Sequence, residues 1–211
     1  MSYIRTAALV IVAASWIAVS QPASAGVLTF DDLPNPGAGL PNVPNGYGGL
    51  NWSNMLYMDP AARTASGTSV PGYLNGVVSP RNVAFNGGGT MAVVSDGIFT
   101  FNGAYLTGAW NDNLNITVNG KLGAVQLYSQ TVVVNTQTPT YFNFNYAGID
   151  TLTIDSFGGT PHGFPGGGAG TQFAMDNFTV NVPEPSPVAL LSIGAIGLAI
   201  TARRRTRKRF A

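Results

Sequence analysis

The chain has 211 residues and no cysteine; charged residues are only 9% of the total, whereas it contains 27 glycines and 14 prolines. Six of the ten Lys and Arg residues lie in the last nine positions, so residues 26–182 keep three basic residues against eight Asp and carry a net charge of −5. This balance excludes nucleic acid as an expected partner of that segment, and the lack of cysteine excludes disulfides, thiol nucleophiles and thiolate metal sites.

The N-terminal residues, 1–25, have the three parts of a secretory signal peptide. Arg5 supplies positive charge, residues 7–19 form an apolar run, and Ala23 and Ala25 are the small residues that signal peptidase needs. We therefore expect an N-terminal signal helix and a mature chain that begins at Gly26. The alternative is a retained N-terminal anchor, but the apolar run is short for a hydrocarbon layer about 30 Å thick.

The middle of the chain alternates short aromatic and β-branched runs with Gly, Pro and Asn. Residues 114–118 show the clearest alternation, with apolar side chains on one face, and Asn119-Gly120 is typical of a tight turn. No part shows a sustained 3.6-residue apolar period. The pattern predicts an all-β fold, an antiparallel β-sandwich of jelly-roll type over residues 26–182. Strands are predicted at residues 27–31, 50–57, 76–79, 83–85, 91–95, 98–101, 104–110, 114–118, 125–134, 141–145, 149–154 and 172–182.

The C-terminal segment, residues 183–211, combines a proline motif, an apolar run and a basic end. Pro183-Glu184-Pro185 precedes the apolar residues 188–202, which we expect to form a transmembrane helix. Because positive residues resist translocation, the basic end is expected to stay in the cytoplasm. Its basic residues are Arg203, Arg204, Arg205, Arg207, Lys208 and Arg209.

These three features, in this order, resemble the PEP-CTERM sorting signal that exosortases recognise in Gram-negative bacteria. The motif Pro183-Glu184-Pro185 matches the one for which the family is named. The resemblance implies processing by an exosortase, transient insertion in the inner membrane, cleavage near the motif, and a final location at the cell surface or outside the cell. Such proteins are associated with extracellular polysaccharide and biofilm matrix. An ordinary single-pass tail anchor is the alternative.

The preceding domain also resembles the globular parts of other PEP-CTERM proteins. The shared residues are 30–33, 45–52, 109–112 and 175–178. In addition, Asp176-Asn177 near the last strand is similar to galactose-binding-like sandwiches and carbohydrate-binding modules. Because the globular parts of PEP-CTERM proteins are mostly of unassigned function, this resemblance bears on architecture more than on activity.

Asp176 is the most informative single carboxylate. It shares strand parity with Phe178 and Val180, which should point inward, and a buried carboxylate is costly unless it is paired or bound to a metal. Asp31 and Asp32 lie near the first strand, which often neighbours the last in such folds. We therefore predict a structural Ca²⁺ held by Asp31 or Asp32 with Asp176, because Ca²⁺ takes six to eight oxygen ligands. The alternative is solvated Asp, or Asp that accepts turn N–H bonds.

Trp52, Tyr57 and Trp110 are the candidate sugar-binding aromatics. Their flat rings can stack on pyranose C–H faces, and Asn51, Asn111 and Asp112 can bind hydroxyls beside them. Core packing of these rings is the alternative, since large aromatics in a sandwich usually face inward.

Catalysis is not expected. His162 is the only histidine, it lies in a glycine-rich loop without rigid support, and no recognised catalytic motif is present. The sequence thus predicts a non-catalytic surface or matrix protein that binds carbohydrate or exopolysaccharide. A structural biofilm-matrix protein without a discrete ligand and a secreted hydrolase are the alternatives.

Overall fold

A computed structural model describes residues 25–182, so the predicted signal peptide, PEP motif, apolar helix and basic tail lie outside the described residues. The described part is mostly antiparallel β-sheet with two short α-helices, which confirms the all-β prediction. In chain order the elements are β1 (Ala25–Leu28), β2 (Asn51–Ser53), β3 (Met55–Met58), α1 (Pro60–Ala65), α2 (Pro71–Asn75), β4 (Val83–Asn86), β5 (Ala92–Gly108), β6 (Asn111–Asp112), β7 (Leu114–Leu122), β8 (Val125–Val134), β9 (Thr140–Phe157), β10 (Thr160–Pro161) and β11 (Phe173–Asn181).

Nine strands share one hydrogen-bonded network in the order β3-β4-β11-β5-β9-β7-β8, with β1 added beside β11 and β2 beside β5. Strands β6 and β10 form a separate pair. Every pairing is antiparallel. The first and last strands are neighbours, as expected, with Ala25 opposite Asn181 and Leu28 opposite Phe178.

The two longest strands, β5 and β9, replace five shorter predicted strands. Their mutual register shifts between Ser95 and Gly103, where bulges bend both strands without ending them. Gly103 allows the backbones to approach there, because a Cβ atom at this position would collide with the Phe142 carbonyl oxygen. The Gly and Asn residues that suggested turns therefore mark irregularities within continuous strands.

The hairpin β7-β8 corrects the predicted turn. Asn119 and Gly120 lie inside β7, and the chain reverses at residues 123–124, where Gly123 has φ 58°. A Cβ at Gly120 would lie 3.0 Å from atoms of both Tyr146 and Ile149, so this glycine serves close packing. The predicted strand at residues 125–134 is confirmed as β8.

Short-range signals explain the other differences. Asn54, with φ 53°, separates β2 from β3, which were predicted as one strand. Helix α1 begins with Pro60, and the Asp59 carboxylate caps it by accepting the Ala62 N–H at 2.9 Å. The predicted strand at residues 76–79 is wrong, because these residues leave α2 as bends and coil. Helices this short have no apolar period that a sequence window would detect.

The main core is built from inward-facing side chains of β2, β3, β5, β7, β8, β9 and β11. Phe101 stacks on Phe144 and on Phe178, with ring centroids 5.2 and 4.6 Å apart. A second, smaller cluster packs beneath α2 around Tyr73 and Phe85. Residues 25–182 thus contain their own core within one compact unit, and we expect them to fold alone. Within this range, no helix is long and apolar enough to cross a membrane.

Candidate functional site

Trp52 and Tyr57 are core residues, and the prediction that they stack on a ligand is wrong. Only 6% of the Trp52 surface is exposed; its indole packs edge-on against Phe30 and Phe178, and its N–H donates to the Tyr47 carbonyl at 3.0 Å. Tyr57 is equally buried. Both strands that carry these rings turn them inward, so neither presents a face to solvent.

Trp110 is half-buried and lies in the second cluster, apart from Trp52. Tyr73 contacts its ring edge-to-face with centroids 5.5 Å apart. The backbone of Gly167 and Gly168 covers the indole, since a Cβ at Gly168 would lie 3.2 Å from it. The predicted ligand-stacking surface is therefore not assembled: its three aromatic residues pack against the protein.

Asp176 is fully buried, as its strand parity predicts, and protein donors surround it. Its Oδ2 accepts the N–H groups of Val78 and Ser79, both at 2.8 Å, and its Oδ1 accepts the Ser79 hydroxyl at 2.8 Å and the Asn177 N–H at 2.7 Å. Burial raises the pKa of this carboxyl, and these donors offset only part of that effect. Asp176 anchors residues 78–79 to β11.

The structure does not join Asp176 to Asp31 and Asp32 in one site. Asp31 Oδ1 accepts the Asn82 N–H at 2.7 Å, and Asp32 Oδ1 accepts the Tyr47 hydroxyl at 2.6 Å. Asp31 Oδ2 is buried without a partner, but the Arg81 guanidinium, which bonds the Asp31 carbonyl, already supplies positive charge there. Residues 25–182 contain no group of three His, Cys, Asp or Glu that could hold a metal. These contacts do not favour calcium, which stays a prediction of the sequence alone.

A different polar cluster, which the sequence did not predict, forms around Asp112 at the end of β6. Its Oδ2 lies 2.5 Å from Nδ1 of His162, and its Oδ1 accepts the N–H and hydroxyl of Thr136 at 2.9 and 2.8 Å. The Gln137 side-chain nitrogen lies 3.0 Å from Nε2 of His162. An Nδ1–H donating to Asp112 and an Nε2 accepting from Gln137 satisfy all of these contacts.

Backbone pairing brings these residues together across 50 positions of the chain. Thr160 pairs with Asp112 and Pro161 with Asn111, and the His162 N–H donates to the Trp110 carbonyl at 2.9 Å. The glycine-rich segment around His162 is therefore attached to the sheet. This corrects the expectation that His162 lacks rigid support.

The charge on Asp112 is stabilised by its neighbours. Partial desolvation alone would raise the pKa of this carboxyl, but the Thr136 N–H, the His162 ring and the Thr136 hydroxyl outweigh it, and the pKa is lowered. The carboxylate is thus held ionised and oriented by three groups.

An open pocket of about 450 Å³, which we call the Asp112 pocket, lies beside this cluster. Most of its lining side chains are neutral amides and hydroxyls, and the end of β8 supplies an apolar wall. Asn113, Thr138 and Thr140 form no side-chain hydrogen bond to another described residue. The lining residues are Asp112, Asn113, Val133, Val134, Asn135, Gln137, Thr138 and Thr140.

This arrangement suits polar recognition better than acyl transfer. Both nitrogens of His162 are engaged, and the one hydroxyl at the pair, that of Thr136, donates to Asp112 rather than to the imidazole. A nucleophile would need a base within hydrogen-bond reach. Free amides and hydroxyls, by contrast, can donate to and accept from a ligand rich in hydroxyl groups.

Sequence reasoning missed the pocket because its residues come from two separate segments, 112–113 and 133–140, and the adjoining His162 comes from a third. The one available signal was compositional: Asp112 lies among Asn residues, and His162 is the only titratable base in the domain apart from three Lys and Arg. Nothing in the sequence indicates that residues 160–161 pair with residues 111–112.

A sorting-motif family matches the C-terminal segment, and solved structures match the chain at low similarity. A family model described as the PEP-CTERM protein-sorting motif matches residues 181–205. No curated protein matches the sequence. Solved structures with a similar arrangement include one titled "Structure of TmCBM61 in complex with beta-1,4-galactotriose", with 11% identity and a TM-score of 0.38 over 65% of this chain and 93% of that one.

Proposed function

We propose that the β domain of this protein acts at the cell surface or in the extracellular matrix as a non-catalytic polysaccharide-binding module. The starting point is the PEP-CTERM sorting motif at residues 181–205, which marks the chain as an exported protein that an exosortase sorts. The Asp112 pocket is the binding site in this proposal. The observation that carries it is the open cavity of about 450 Å³ lined by neutral, partly unengaged amides and hydroxyls.

The composition of the pocket supports a neutral polyhydroxylated ligand. Residues 26–182 carry a net charge of −5, so an anionic polymer would be repelled. A sugar hydroxyl can pair with Asn113, Thr138 or Thr140 without displacing a bond within the protein. The apolar side chain of Val133, which is 53% exposed, can contact the C–H groups of a ring.

The finer architecture in this proposal is a jelly-roll-like β-sandwich. Its support is that β5 and β9 each pair with different neighbours along their length. Residues 93–95 of β5 pair with β2 and residues 100–108 with β11, whereas residues 140–154 of β9 pair with β5 and residues 151–157 with β7. Two long bent strands that continue from one layer into another enclose a core without additional strands.

The test is retention of residues 26–182 on neutral polysaccharides, by pull-down and glycan array. The double variant Thr138→Val and Thr140→Val removes two hydroxyls while keeping side-chain volume, and we expect roughly tenfold weaker retention, the effect of losing about 1.4 kcal/mol of hydrogen bonding. Thr68→Val is the matched control, because Thr68 is exposed in the loop after α1.

Three outcomes would contradict the proposal. Equal retention of the wild type and the double variant would show that polysaccharide binds outside the Asp112 pocket. No retention on any polysaccharide would instead favour a structural matrix protein without a discrete ligand. Release of reducing sugar ends from the bound polymer would support the hydrolase alternative.

A further inference from the structure

Strand β8 is a long free edge of the sheet. It ends the strand order, and in residues 25–182 no strand pairs with its side opposite β7. The edge at β3 differs, because residues 41–43 cover it: Val43 N–H donates to the Met55 carbonyl at 2.9 Å, and Tyr57 N–H to the Pro41 carbonyl at 3.0 Å. Along β8, alternate residues leave their backbone N–H and C=O groups without a strand partner.

The side chains of β8 do not protect this edge. Its ten residues read Val-Gln-Leu-Tyr-Ser-Gln-Thr-Val-Val-Val, without a charge, a proline or a glycine. Sheet edges in monomeric proteins are usually blunted by Lys, Pro or bulges, because an unprotected edge pairs with other strands. The one bulge in the pairing of β7 with β8 lies near the hairpin end, between Gly120 and Lys121, and the rest of the edge is regular.

Apolar side chains accompany this edge. Val125, Leu127 and Val133 are 62, 46 and 53% exposed. Val133 lies opposite the polar Asn115 of β7, so the exposed apolar side chains are concentrated along the edge strand itself. Exposed apolar surface of this kind, next to unpaired backbone, marks an interaction site.

We propose that β8 pairs antiparallel with β8 of a second copy of this chain, forming a two-fold symmetric dimer with a continuous sheet. An antiparallel strand pair is its own complement, since each residue offers its partner the same donor and acceptor that it receives. The seam brings no charges together, although each domain carries a net charge of −5. A basic partner protein would need acidic side chains on β8 for ion pairs, and β8 has none, so a second copy of this chain is the better match.

The symmetry predicts a closed dimer rather than a fibre. The long free edge of each copy is used up when two copies pair. Of the other strands in this network with a single partner, β3 is covered, and β1 and β2 are only four and three residues long. With close to full overlap, the two-fold axis passes at a middle residue of β8, Ser129 or Gln130, because directly opposite residues of an antiparallel pair point to the same face. Val133 and Val134 line the Asp112 pocket. In the dimer, this pair lies at one end of the shared seam in one copy and at the other end in its partner, and the seam is about 33 Å long.

The two Asp112 pockets, at the ends of one seam, can bind two positions along one polysaccharide or two separate polysaccharide chains. This consequence rests on the proposed function, whereas the dimer itself does not. Binding at two linked sites raises avidity without any new contact.

Sedimentation velocity of residues 26–182 over a range of concentrations tests the dimer. Ser129→Lys places two positive charges beside the axis, and we expect its dissociation constant to rise by roughly tenfold or more. Ala65→Lys, on the exposed end of α1, adds the same charge away from β8 and should leave the wild-type value unchanged. Mixing Ser129→Lys with Ser129→Glu should restore the dimer as a heterodimer.

Disulfide trapping gives a second readout, because the chain has no cysteine of its own. Ser129→Cys or Gln130→Cys, whichever residue lies on the axis, should form a covalent dimer under mild oxidation, since that residue faces its own copy at disulfide distance. Ala65→Cys should stay monomeric under the same conditions.

A wild type that sediments as a monomer throughout, or a Ser129→Lys variant that dimerises like the wild type, overturns the β8 dimer. A dimer that binds no polysaccharide refutes the proposed function alone. A monomer that binds polysaccharide refutes this inference alone.

Discussion

Asp176 shows how a buried carboxylate can be satisfied by backbone and hydroxyl donors alone. Both its oxygens accept two donors within 2.7–2.8 Å, and its side chain connects β11 to residues 78–79, which follow α2. A segment without regular secondary structure is thereby bonded to the central sheet. Because these donors occupy both oxygens of the carboxylate, the role of Asp176 is to hold residues 78–79 in position.

Asp176→Asn should therefore destabilise the domain. An amide keeps one acceptor oxygen and places an NH₂ group against N–H donors, which leaves at least one buried donor unpaired at a cost of about 1–3 kcal/mol. Urea denaturation of residues 26–182 measures the change. Asp96→Asn is the control, since Asp96 is exposed on β5, and a loss equal to that of the control would show that the Asp176 contacts contribute nothing.

At the scale of elements, the pair β6-β10 joins the glycine-rich segment to the sheet by a short ladder and by the Asp112–His162 contact. Two residues per strand make a weak pairing by themselves, because short ladders bury little surface. The side-chain contact therefore adds to the backbone bonds that hold residues 158–170, and its loss should loosen this segment.

The pH dependence of this attachment follows from the lowered pKa of Asp112. A depressed folded-state pKa contributes stability that is present above the unfolded value of about 3.9 and is lost as pH falls through the folded value. The difference in melting temperature between wild type and Asp112→Asn should thus be largest near neutral pH and shrink in acid. Hydrogen exchange of residues 158–170 should show the same trend, and a difference that stays constant with pH would exclude the Asp112 charge as its source.

At the scale of the whole molecule, the folded domain begins and ends at paired strands. Ala25 lies opposite Asn181. The predicted signal cleavage site and the first residue of the matched sorting motif therefore lie at the same end of the β1–β11 pair. Cleavage after Ala25 would leave Gly26 to Leu28 still paired with β11, and the domain would keep its first strand.

The sorting motif predicts a processed surface form. Mass spectrometry of the surface or secreted protein should find a chain that lacks the Arg-rich end beyond the Pro183-Glu184-Pro185 motif. Replacing these three residues with Ala should leave the tail attached and the protein in the membrane, whereas Pro187→Ala should be processed normally. An intact tail on the surface form of the wild type would refute exosortase processing.

The sequence by itself determined the features that depend on local composition and order. The three-part sorting signal at the C-terminus is a linear sequence pattern, and the all-β class follows from two-residue periodicity, as in β7 and β11. The inward direction of Asp176 followed from the same periodicity. Such features need no knowledge of which segments meet.

Tertiary structure alone decided where the functional chemistry lies. Trp52 and Trp110 resemble ligand-binding residues in sequence, but burial depends on which segments meet: Trp52 is buried in the core, and Trp110 is half-buried against Tyr73 and Gly168. Asp112, Thr136 and His162 lie far apart in the chain, and only the pairing of β6 with β10 unites them. Long-range antiparallel pairing is set by the balance of the whole core, which no local pattern records, so neither the Asp112 pocket nor the free edge of β8 could be predicted from residue order.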